Sequence, residues 1–370
     1  MLKFKLEELY TVKNGLSKPR AAFGKGYPFV SFSNVFNNYF IPSELKDLVD
    51  TNESERDNFS IKKGDILITR TSETIDELGL TSVALNDIPD ATFNGFCKRL
   101  RPNEVAKEII EPRYIGYYLR SPQFRRQVTA FSNPTTRASL RNSDLLSIDI
   151  EIPDTNTQKN IANWFETIDE TIKTNKEIIQ HLTSISKLIY YKFKEQSTNS
   201  IPLGDLVSIK YGKAHKALPD GNIPVYGSGG QIRTISKSLF DKESVLIPRK
   251  GTLNNIFYMD EPFWATDTMF FTEMKEQNIC KYIYEFLNST NLASKNVGSA
   301  VPSMTVPILK SLLVEMPDKD QLFNYDKIVS PLFQTKSNLI KENTLLQKTR
   351  DLLLPKIISG EIIENHQSQE

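Results

Sequence analysis

The chain has 370 residues, of which 25% are charged and 39% are hydrophobic, and its formal net charge is +1. This length is sufficient for two or three domains, and no segment approaches the roughly 20 consecutive apolar residues that cross a membrane. The amino terminus lacks the apolar core of a secretory signal, and the two cysteines, Cys97 and Cys280, do not have metal-ligand spacing. We therefore expect a cytoplasmic protein with reduced, buried cysteines, and neither a membrane protein nor a disulfide-stabilised secreted one.

Residues 1–152 alternate short apolar runs with polar turns, a pattern typical of an α+β domain. The pattern predicts a helix at residues 113–128, a loop at residues 47–58 and a hydroxyl-rich loop at residues 132–139. The predicted strands are residues 6–15 with a turn, 27–33, 66–70, 81–85, 91–96 and 145–152.

Residues 152–195 predict one long amphipathic helix. Its apolar residues recur at alternating steps of four and three, and they are Ile161, Phe165, Ile168, Ile172, Ile179, Leu182, Ile189 and Phe193. Asn175 and Ser186 occupy the two gaps in this series. The spacing lines one narrow helix face, as in a coiled coil. A helix of about 40 residues is roughly 60 Å long, so this face needs a second long helix as its partner.

The second half of the chain repeats the first. A shift of 164 residues brings Ile152-Pro153-Asp154 onto Met316-Pro317-Asp318. The apolar series recurs after it at Tyr325, Val329, Leu332, Leu339, Leu346, Leu353 and Ile357, and it is interrupted by Lys336, Asn343 and Arg350. Shorter segments of the first half also have counterparts, which are residues 203–212, 245–249, 279–292 and 296–304. Duplication of a domain together with a long helix implies pseudo-twofold symmetry.

Basic residues are concentrated in two segments, although the net charge is close to zero. Residues 98–141 contain ten basic and three acidic residues, and residues 210–250 contain eight and three. Clustered basic charge suits contacts with phosphate groups. A charged, solvated face without a ligand is an equally good explanation when charge is the only observation.

Three further motifs carry a family resemblance over nearly the whole chain. They are Leu246–Gly251 followed by Trp264–Thr266, Pro153-Asp154 followed by Gln158–Ala162, and Leu353–Glu361. In their order and duplication they resemble the specificity subunits of type I restriction–modification systems. The resemblance implies two target-recognition domains, each of which reads one half of a split DNA sequence. It also implies two antiparallel spacer helices that dock methyltransferase subunits.

This interpretation defines the expected fold class as α+β, with two duplicated α/β target-recognition domains separated by two long antiparallel coiled-coil helices. The expected boundaries are residues 1–152 for the first domain, 153–199 for the first spacer helix, 200–316 for the second domain, and 317–370 for the second spacer helix with an acidic tail. One departure concerns Ser330-Pro331, inside the second helix pattern. Proline removes a backbone hydrogen bond, so we predict a break with Ser330 as N-cap and Pro331 as the first helical residue.

Two arginines, Arg70 and Arg249, end apolar strands at equivalent places in the two halves. The donor fork of arginine suits guanine O6 and N7 or a phosphate group. The alternative role is a structural salt bridge. With neighbouring donors and one further lysine, the candidate DNA-binding residues at these strand ends are Arg70, Thr71, Ser72, Lys213, Arg249, Lys250 and Thr252.

Loops supply the remaining candidates. The glycine-rich segment at residues 227–230 would let backbone approach DNA while Gln231 reads adenine, and a plain hairpin turn explains it nearly as well. The hydroxyl-rich loops at residues 132–139 and 296–304 either contact phosphates and bases or cap helices. The candidates from these loops are Thr135, Thr136, Arg137, Ser228, Gly229, Gln231, Ser299 and Ser303.

Catalytic motifs are missing from the sequence. Residues 133–136 are similar to the adenine-methyltransferase signature, but they lack the second proline and the aromatic ring that stacks the flipped base. The three histidines are scattered and form neither a metal-binding pattern nor a triad. We therefore expect a chain that is not an enzyme and has no cofactor, metal or catalytic residues.

We conclude from the sequence that the chain is a DNA-reading scaffold that gives sequence specificity to partner enzymes. The alternatives are a coiled-coil adaptor that binds proteins and the specificity fragment of a fused restriction–methylation enzyme. Basic clusters in both halves argue against the adaptor, and the missing motifs argue against the enzyme. The partners that the resemblance implies are double-stranded DNA, two methyltransferase subunits and motor-nuclease subunits. We expect the polar flanks of the helices, such as Lys173, Lys176, Glu177 and His181, to contact the methyltransferase.

Overall fold

The chain folds into two compact units with separate sheets. A computed structural model describes residues 1–72, 77–131, 138–197, 199–296 and 301–361. Unit 1 comprises Met1–Lys173 and Asn343–Glu370, and unit 2 comprises Thr174–Glu342. Both units are mixed α/β. No helix in these described ranges is long and apolar enough to span a membrane.

Unit 1 is built on a four-stranded antiparallel sheet. Its described strands are β1 Leu2–Lys5, β2 Tyr10–Asn14, β3 Phe23–Val30, β4 Leu48–Val49, β5 Ile66–Thr69, β6 Thr71–Ser72, β7 Thr81–Val83, β8 Thr92–Phe93, β9 Cys97–Pro102, β10 Ala138–Ser139 and β11 Asp149–Ile152. Its short helices are α1 Leu6–Leu9, α2 Phe32–Asn37, α3 Glu53–Asn58, α4 Glu104–Ile109, α5 Pro112–Tyr118, α6 Pro122–Ala130 and α7 Asn142–Leu146. The main sheet has the order β2-β9-β5-β7, and the pairs β1–β11 and β6–β10 lie outside it.

Unit 2 has the same strand order with fewer elements. The first long helix, α8 Thr155–Glu195, joins the two sheet-containing domains. It is followed by β12 Asn199–Pro202, α9 Leu203–Leu206, β13 Val207–Tyr211, β14 Ile223–Gly227, β15 Gly230–Ile235, β16 Ser244–Pro248, β17 Phe257–Met259, β18 Trp264–Ala265, β19 Met269–Met274, α10 Cys280–Ser289, α11 Val306–Lys310, β20 Leu313–Met316 and α12 Lys319–Ile358. The order β13-β19-β16-β17 matches the main sheet of unit 1. The duplicated α/β fold predicted from the repeat is thus confirmed.

The repeated Pro-Asp motif caps both long helices. The carboxylate of Asp154 accepts the backbone N–H of Thr157 at 3.0 Å, and that of Asp318 accepts the N–H of Gln321 at 2.8 Å. Each carboxylate satisfies an N–H group that has no partner inside the helix. The motif therefore marks where each long helix begins.

Segments of α8 and α12 run antiparallel within each unit. Their contact is mainly apolar, but at some positions a polar residue of one helix meets a polar residue of the other. In unit 1, Asp169 accepts a hydrogen bond from Arg350 at 2.6 Å. In unit 2, Asn175 donates to Glu342 at 3.2 Å. The predicted gaps in the apolar series are therefore places where polar groups of the packed elements meet.

The core of each unit contains tyrosines from one short helix, α5 in unit 1 and α10 in unit 2. In unit 1, Tyr117 is fully buried and packs against Phe165 of α8 with ring centroids 5.1 Å apart. In unit 2, Tyr282 packs against Tyr190 of α8 at 4.9 Å. The helical segments of each unit consequently share one hydrophobic core with its sheets.

The structure corrects several local predictions, three of which concern helices. The helix α12 is continuous through Pro331, whose exposed position lets water satisfy the carbonyl that loses its hydrogen bond. The predicted helix at residues 113–128 is two helices, because Pro122 starts α6 and disfavours helical backbone at the preceding residue. The predicted loop at residues 47–58 contains β4 and the helix α3, which Asn52 caps by accepting the N–H of Glu55 at 2.9 Å.

Candidate nucleic-acid interface

The two predicted arginines occupy the same backbone environment in their respective units. The N–H of Arg70 donates to the carbonyl of Phe96 at 2.9 Å, and its own carbonyl accepts the N–H of Leu140 at 2.9 Å. The N–H of Arg249 donates to Thr268 at 2.8 Å, and its carbonyl accepts the N–H of Met304 at 2.9 Å. These bonds hold each arginine at the end of a buried strand, β5 or β16, and leave its side chain half-buried.

In unit 2 the hairpin turn and the loop after Arg249 meet. Gly227 of β14 pairs with Gly230 of β15, so Ser228 and Gly229 form a two-residue turn. Gly251 has a φ of +87°, and a Cβ atom there would lie 2.7 Å from the Ser228 hydroxyl oxygen. The positive φ favours glycine at this position, and the missing side chain leaves room for the Ser228 hydroxyl. The segment is therefore a hairpin turn, and the side chain of its Ser228 packs against the strand-end loop.

Other predicted residues lie on the same elements of unit 2. Lys250 pairs with Ser303 in an antiparallel bridge. Lys213 is exposed, and its backbone is fixed because its N–H donates to Ala265 at 2.8 Å and its carbonyl accepts the indole N–H of Trp264 at 2.9 Å. Thr252 is exposed on the loop after Arg249. This end of the sheet thus brings together most of the candidate donors of unit 2.

Gln231 lies farther along the hairpin. It is the second residue of β15 and pairs with Tyr226 of β14, and its side chain is exposed. It belongs to the same hairpin as Ser228 and Gly229, and nothing in the described residues holds its amide in one orientation.

Two contacts within unit 2 orient the side chain of Arg249. Its guanidinium lies over the ring of Tyr211 with 5.3 Å to the centroid, and its Nη1 donates to the carbonyl of Asp267 at 3.2 Å. A stacked guanidinium keeps most of its donors available and fixes their plane. Within the described ranges Arg249 forms no ion pair with a carboxylate, so it does not have the structural salt bridge considered as its alternative role.

Arg70 in unit 1 has different neighbours. Its Nε is buried and has no hydrogen-bond partner among the described residues. Lys98 lies nearby on β9, is only 4% exposed, and donates from Nζ to the side-chain oxygens of Asn14, at 3.1 Å, and Asn142. The strand β6, with Thr71 and Ser72, pairs with β10 and continues from Arg70. Thr135, Thr136, Arg137 and Ser299 lie outside the described residues.

Many basic residues of the 98–141 segment stabilise the fold instead of forming a surface patch. Arg101 donates to the fully buried carboxylate of Asp65 at 2.8 and 2.6 Å. Arg120 donates to main-chain carbonyls, including that of Thr81 at 2.7 Å, and burial lowers its pKa to about 10. In the second basic segment, Arg233 pairs with Asp220 at 2.6 Å. These three arginines therefore bind groups of the protein itself, a role that neither phosphate contacts nor a solvated face had anticipated.

Residues beside the two arginines escaped the sequence prediction. Lys98 was counted only as part of a basic segment, and Phe96, a residue that is 60% exposed, was assigned to a strand. Tyr211 was not considered as a support for Arg249. Asn14 and Tyr211 each precede a matched glycine, Gly15 or Gly212, so alignment of the two halves would have placed them at equivalent positions.

The described residues contain no group of three or more histidine, cysteine, aspartate or glutamate side chains that would hold a metal ion. Both cysteines are buried. Burial raises the pKa of the Cys97 thiol to about 12, so the thiol stays protonated at neutral pH. The chemistry of these clusters is that of hydrogen-bond donors and positive charge.

Comparisons with known proteins agree with this chemistry. A family model described as "Type I restriction modification DNA specificity domain" matches residues 1–184 and again residues 196–348. The type I restriction enzyme MjaIX specificity subunit of Methanocaldococcus jannaschii is 21% identical over 347 residues, which are 81% of this chain and 78% of that protein. The StySPI specificity subunit of Salmonella potsdam is 26% identical over 165 residues, 43% of this chain and 33% of that protein.

The fold is also found in a solved structure. The crystal structure of the S subunit of a type I restriction–modification system from M. genitalium has a TM-score of 0.61 at 18% sequence identity, and the match covers 96% of this chain and 95% of that chain. The family match extends over most of the sequence and occurs twice, as the duplicated fold requires. The chain therefore belongs to the family of type I restriction–modification specificity subunits, the non-catalytic components that carry the DNA sequence specificity of those systems.

Proposed function

We propose that each unit of this specificity subunit reads one half of a bipartite double-stranded DNA target, and that the chain directs methyltransferase and motor-nuclease subunits to that target. One observation carries the proposal. The same backbone hydrogen bonds present an arginine at both strand ends, while the side chains around Arg70 and Arg249 differ. The shared backbone position and the different neighbouring side chains suit two domains that recognise different half-sites. We also propose that the complex lies in the cytoplasm, together with its DNA.

The test begins with the methylome of cells that express this chain with its methyltransferase, which identifies the target. Binding of the purified complex is then measured on duplexes that are scrambled in one half at a time, and on duplexes with base pairs inserted between the halves. We expect each change to reduce affinity strongly, because a two-domain reader needs both half-sites at a fixed spacing. A continuous target, or binding that ignores one half, would contradict the proposal.

We also propose that two methyltransferase subunits bind the long helices, one on each unit. Unit 1 exposes Trp164 of α8 and Leu352 of α12, and unit 2 exposes Leu188 of α8 and Ile328 of α12, with exposed fractions between 49% and 69%. Exposed apolar residues on a helix are typical of protein contacts.

The repeat relates these residues to one another. The 164-residue shift that aligns the two helices brings Trp164 onto Ile328 and Leu188 onto Leu352. Each unit therefore presents the same two repeat positions on its helices. Two equivalent surfaces favour two copies of one partner. The contribution of the polar flanks, including His181, remains a prediction.

A further inference from the structure

The end of the unit 1 sheet holds two positive charges on one face. Lys98 of β9 lies directly opposite Ile68 of β5 on one side and opposite Asn14 of β2 on the other. Residues that face each other across strands share a face of the sheet. Arg70 follows Ile68 by two residues and so lies on this face as well. The hydrogen bond from Lys98 to Asn14, at 3.1 Å, agrees with this arrangement.

Lys98 is a buried cation without a described counter-ion. Its ammonium has three donors; the side-chain oxygens of Asn14 and Asn142 accept from it, and neither of these amides carries a charge. Burial and then the charge of Arg70 lower the pKa of Lys98. A charge out of water is costly unless an opposite charge compensates it. The equally buried Lys281 of unit 2 has such compensation, from Glu243 at 2.7 Å and Asp326 at 3.1 Å.

Arg70 is a second cation without an ion pair among the described residues. Its buried Nε finds no acceptor in the part of the chain that the structure describes, and it forms no ion pair there. Its side chain is half-buried, so the guanidinium has access to solvent. Two neighbouring cations that have no carboxylate partner in the described ranges are a favourable setting for an anionic ligand.

The corresponding position of unit 2 shows that the fold does not need this pair. Phe270 of β19 takes the place of Lys98, since it pairs with Ile247 of β16 and with Tyr211 of β13. Tyr211 takes the place of Asn14 and makes an edge-to-face contact with Phe270, with ring centroids 5.1 Å apart. In unit 2, contact between two aromatic rings therefore fills the place that Lys98 and Asn14 occupy in unit 1. The fold does not require a lysine at this position, so folding alone does not explain Lys98.

We propose that Arg70 and Lys98 form a phosphate-binding subsite that takes one phosphodiester of the DNA backbone. The inference rests on the proposed DNA-reading function and assigns one contact within it. A nucleobase is uncharged and would leave both cations unbalanced, whereas a phosphate supplies a negative charge and several acceptor oxygens. Arg70 makes the contact at the surface, and the charge of Lys98 lies behind it. Unit 1 is thus anchored at this point by a contact that positions the protein and carries no base information.

The experiment measures how the binding constant depends on salt. The assembled methyltransferase complex is prepared with the native chain, with Lys98→Met, with Arg70→Gln and with both substitutions. Each neutralised phosphate contributes about 0.9 to the slope of log K against log salt concentration. We expect each single variant to reduce the slope by about 0.9 on a target duplex and on an unrelated duplex alike. The double variant should lose about the same 0.9, because both residues act on one phosphate.

Controls separate this role from a structural one. Lys3→Met removes an exposed lysine that pairs with Asp149 at 3.5 Å, and it should leave the slope unchanged. Thermal unfolding of Lys98→Met should occur at or above the native temperature, because the substitution removes a buried charge. If Lys98→Met does not fold, the test depends on Arg70→Gln. Arg70 is accessible to solvent, and the salt dependence of binding by this variant is measured in the same way.

Two kinds of result would overturn the subsite. An unchanged slope in variants that fold would make the pair structural, and a loss confined to the target duplex would make it a base contact. In both cases the native complex still prefers its target, so the proposed function survives. A native complex without any target preference would instead refute the proposed function, and the subsite with it.

Discussion

An arginine at a strand end is useful for base recognition only if its guanidinium is held in one plane. Arg249 meets this condition, because the ring of Tyr211 supports it from one side and the carbonyl of Asp267 accepts one of its donors. The planar fork then presents its other donors in a fixed direction. A guanine edge in the major groove accepts two hydrogen bonds in that geometry. We therefore propose that Arg249 contacts a base and that Arg70 contacts the DNA backbone.

The substitution Arg249→Ala should weaken binding to the native target by about 1–3 kcal/mol, roughly ten- to hundredfold. The same variant should bind a duplex altered in the unit 2 half-site as the native chain does, since the lost contact is specific to that half. Fluorescence anisotropy of the methyltransferase complex on both duplexes measures the two constants. Arg233→Ala is the matched control, because Arg233 pairs with Asp220 at 2.6 Å. An equal loss on every sequence would identify Arg249 as a phosphate contact instead.

At the level of elements, α12 shows how packing overrides a local preference. Its buried residues Val329 and Phe333 lie on either side of Pro331 and belong to the core of unit 2. Ser330 does not act as an N-cap and donates instead to Asp326 of the preceding turn at 3.1 Å. The apolar contacts on both sides of the proline hold the helix together, although proline in a helix interior is unfavourable by about 3 kcal/mol relative to alanine.

Replacing this proline should therefore stabilise the protein. Pro331→Ala restores a backbone donor at an exposed site, and we expect the free energy of unfolding to rise by up to about 3 kcal/mol. Denaturant unfolding followed by circular dichroism measures the change. Pro122→Ala serves as the control, because Pro122 stands at the start of α6, where its fixed backbone angle is favourable. Equal or lower stability of Pro331→Ala would show that the proline is needed where it is.

For the whole molecule, we propose that the duplicated helix surfaces set the number of methyltransferase subunits that bind. Replacing Trp164 and Leu352 by serine removes the exposed apolar pair of unit 1 and leaves that of unit 2. We expect the complex to retain one methyltransferase subunit instead of two, because apolar residues central to an interface carry most of its binding energy. Native mass spectrometry of the purified complex counts the subunits.

The reciprocal variant provides the second half of this test. Serine at Leu188 and Ile328 should remove the other methyltransferase subunit, and all four substitutions together should remove both. Val105→Ser, which changes an exposed apolar residue of the short helix α4, should have no effect on the count. A two-to-one complex that survives the fourfold substitution would place the methyltransferase elsewhere on the chain.

The sequence by itself determined the duplicated architecture. Spacing at alternating steps of three and four reports which helix face is buried, and a shift of 164 residues reports that the same set of elements occurs twice. Both signals are local or periodic, so they can be read from the sequence without knowledge of the packing. The equivalence of Arg70 and Arg249 could be predicted for the same reason.

Only the tertiary structure decided what the individual charges do. Arg101 and Lys98 lie three residues apart in the same basic segment, yet Asp65 neutralises the first and two amides surround the second. Their partners lie just before β5, in β2 and in α7, all distant in sequence, and the amino-acid composition does not reveal those contacts. The function of an ionisable side chain depends on the charge and burial of its neighbours, and these exist only after the chain has folded.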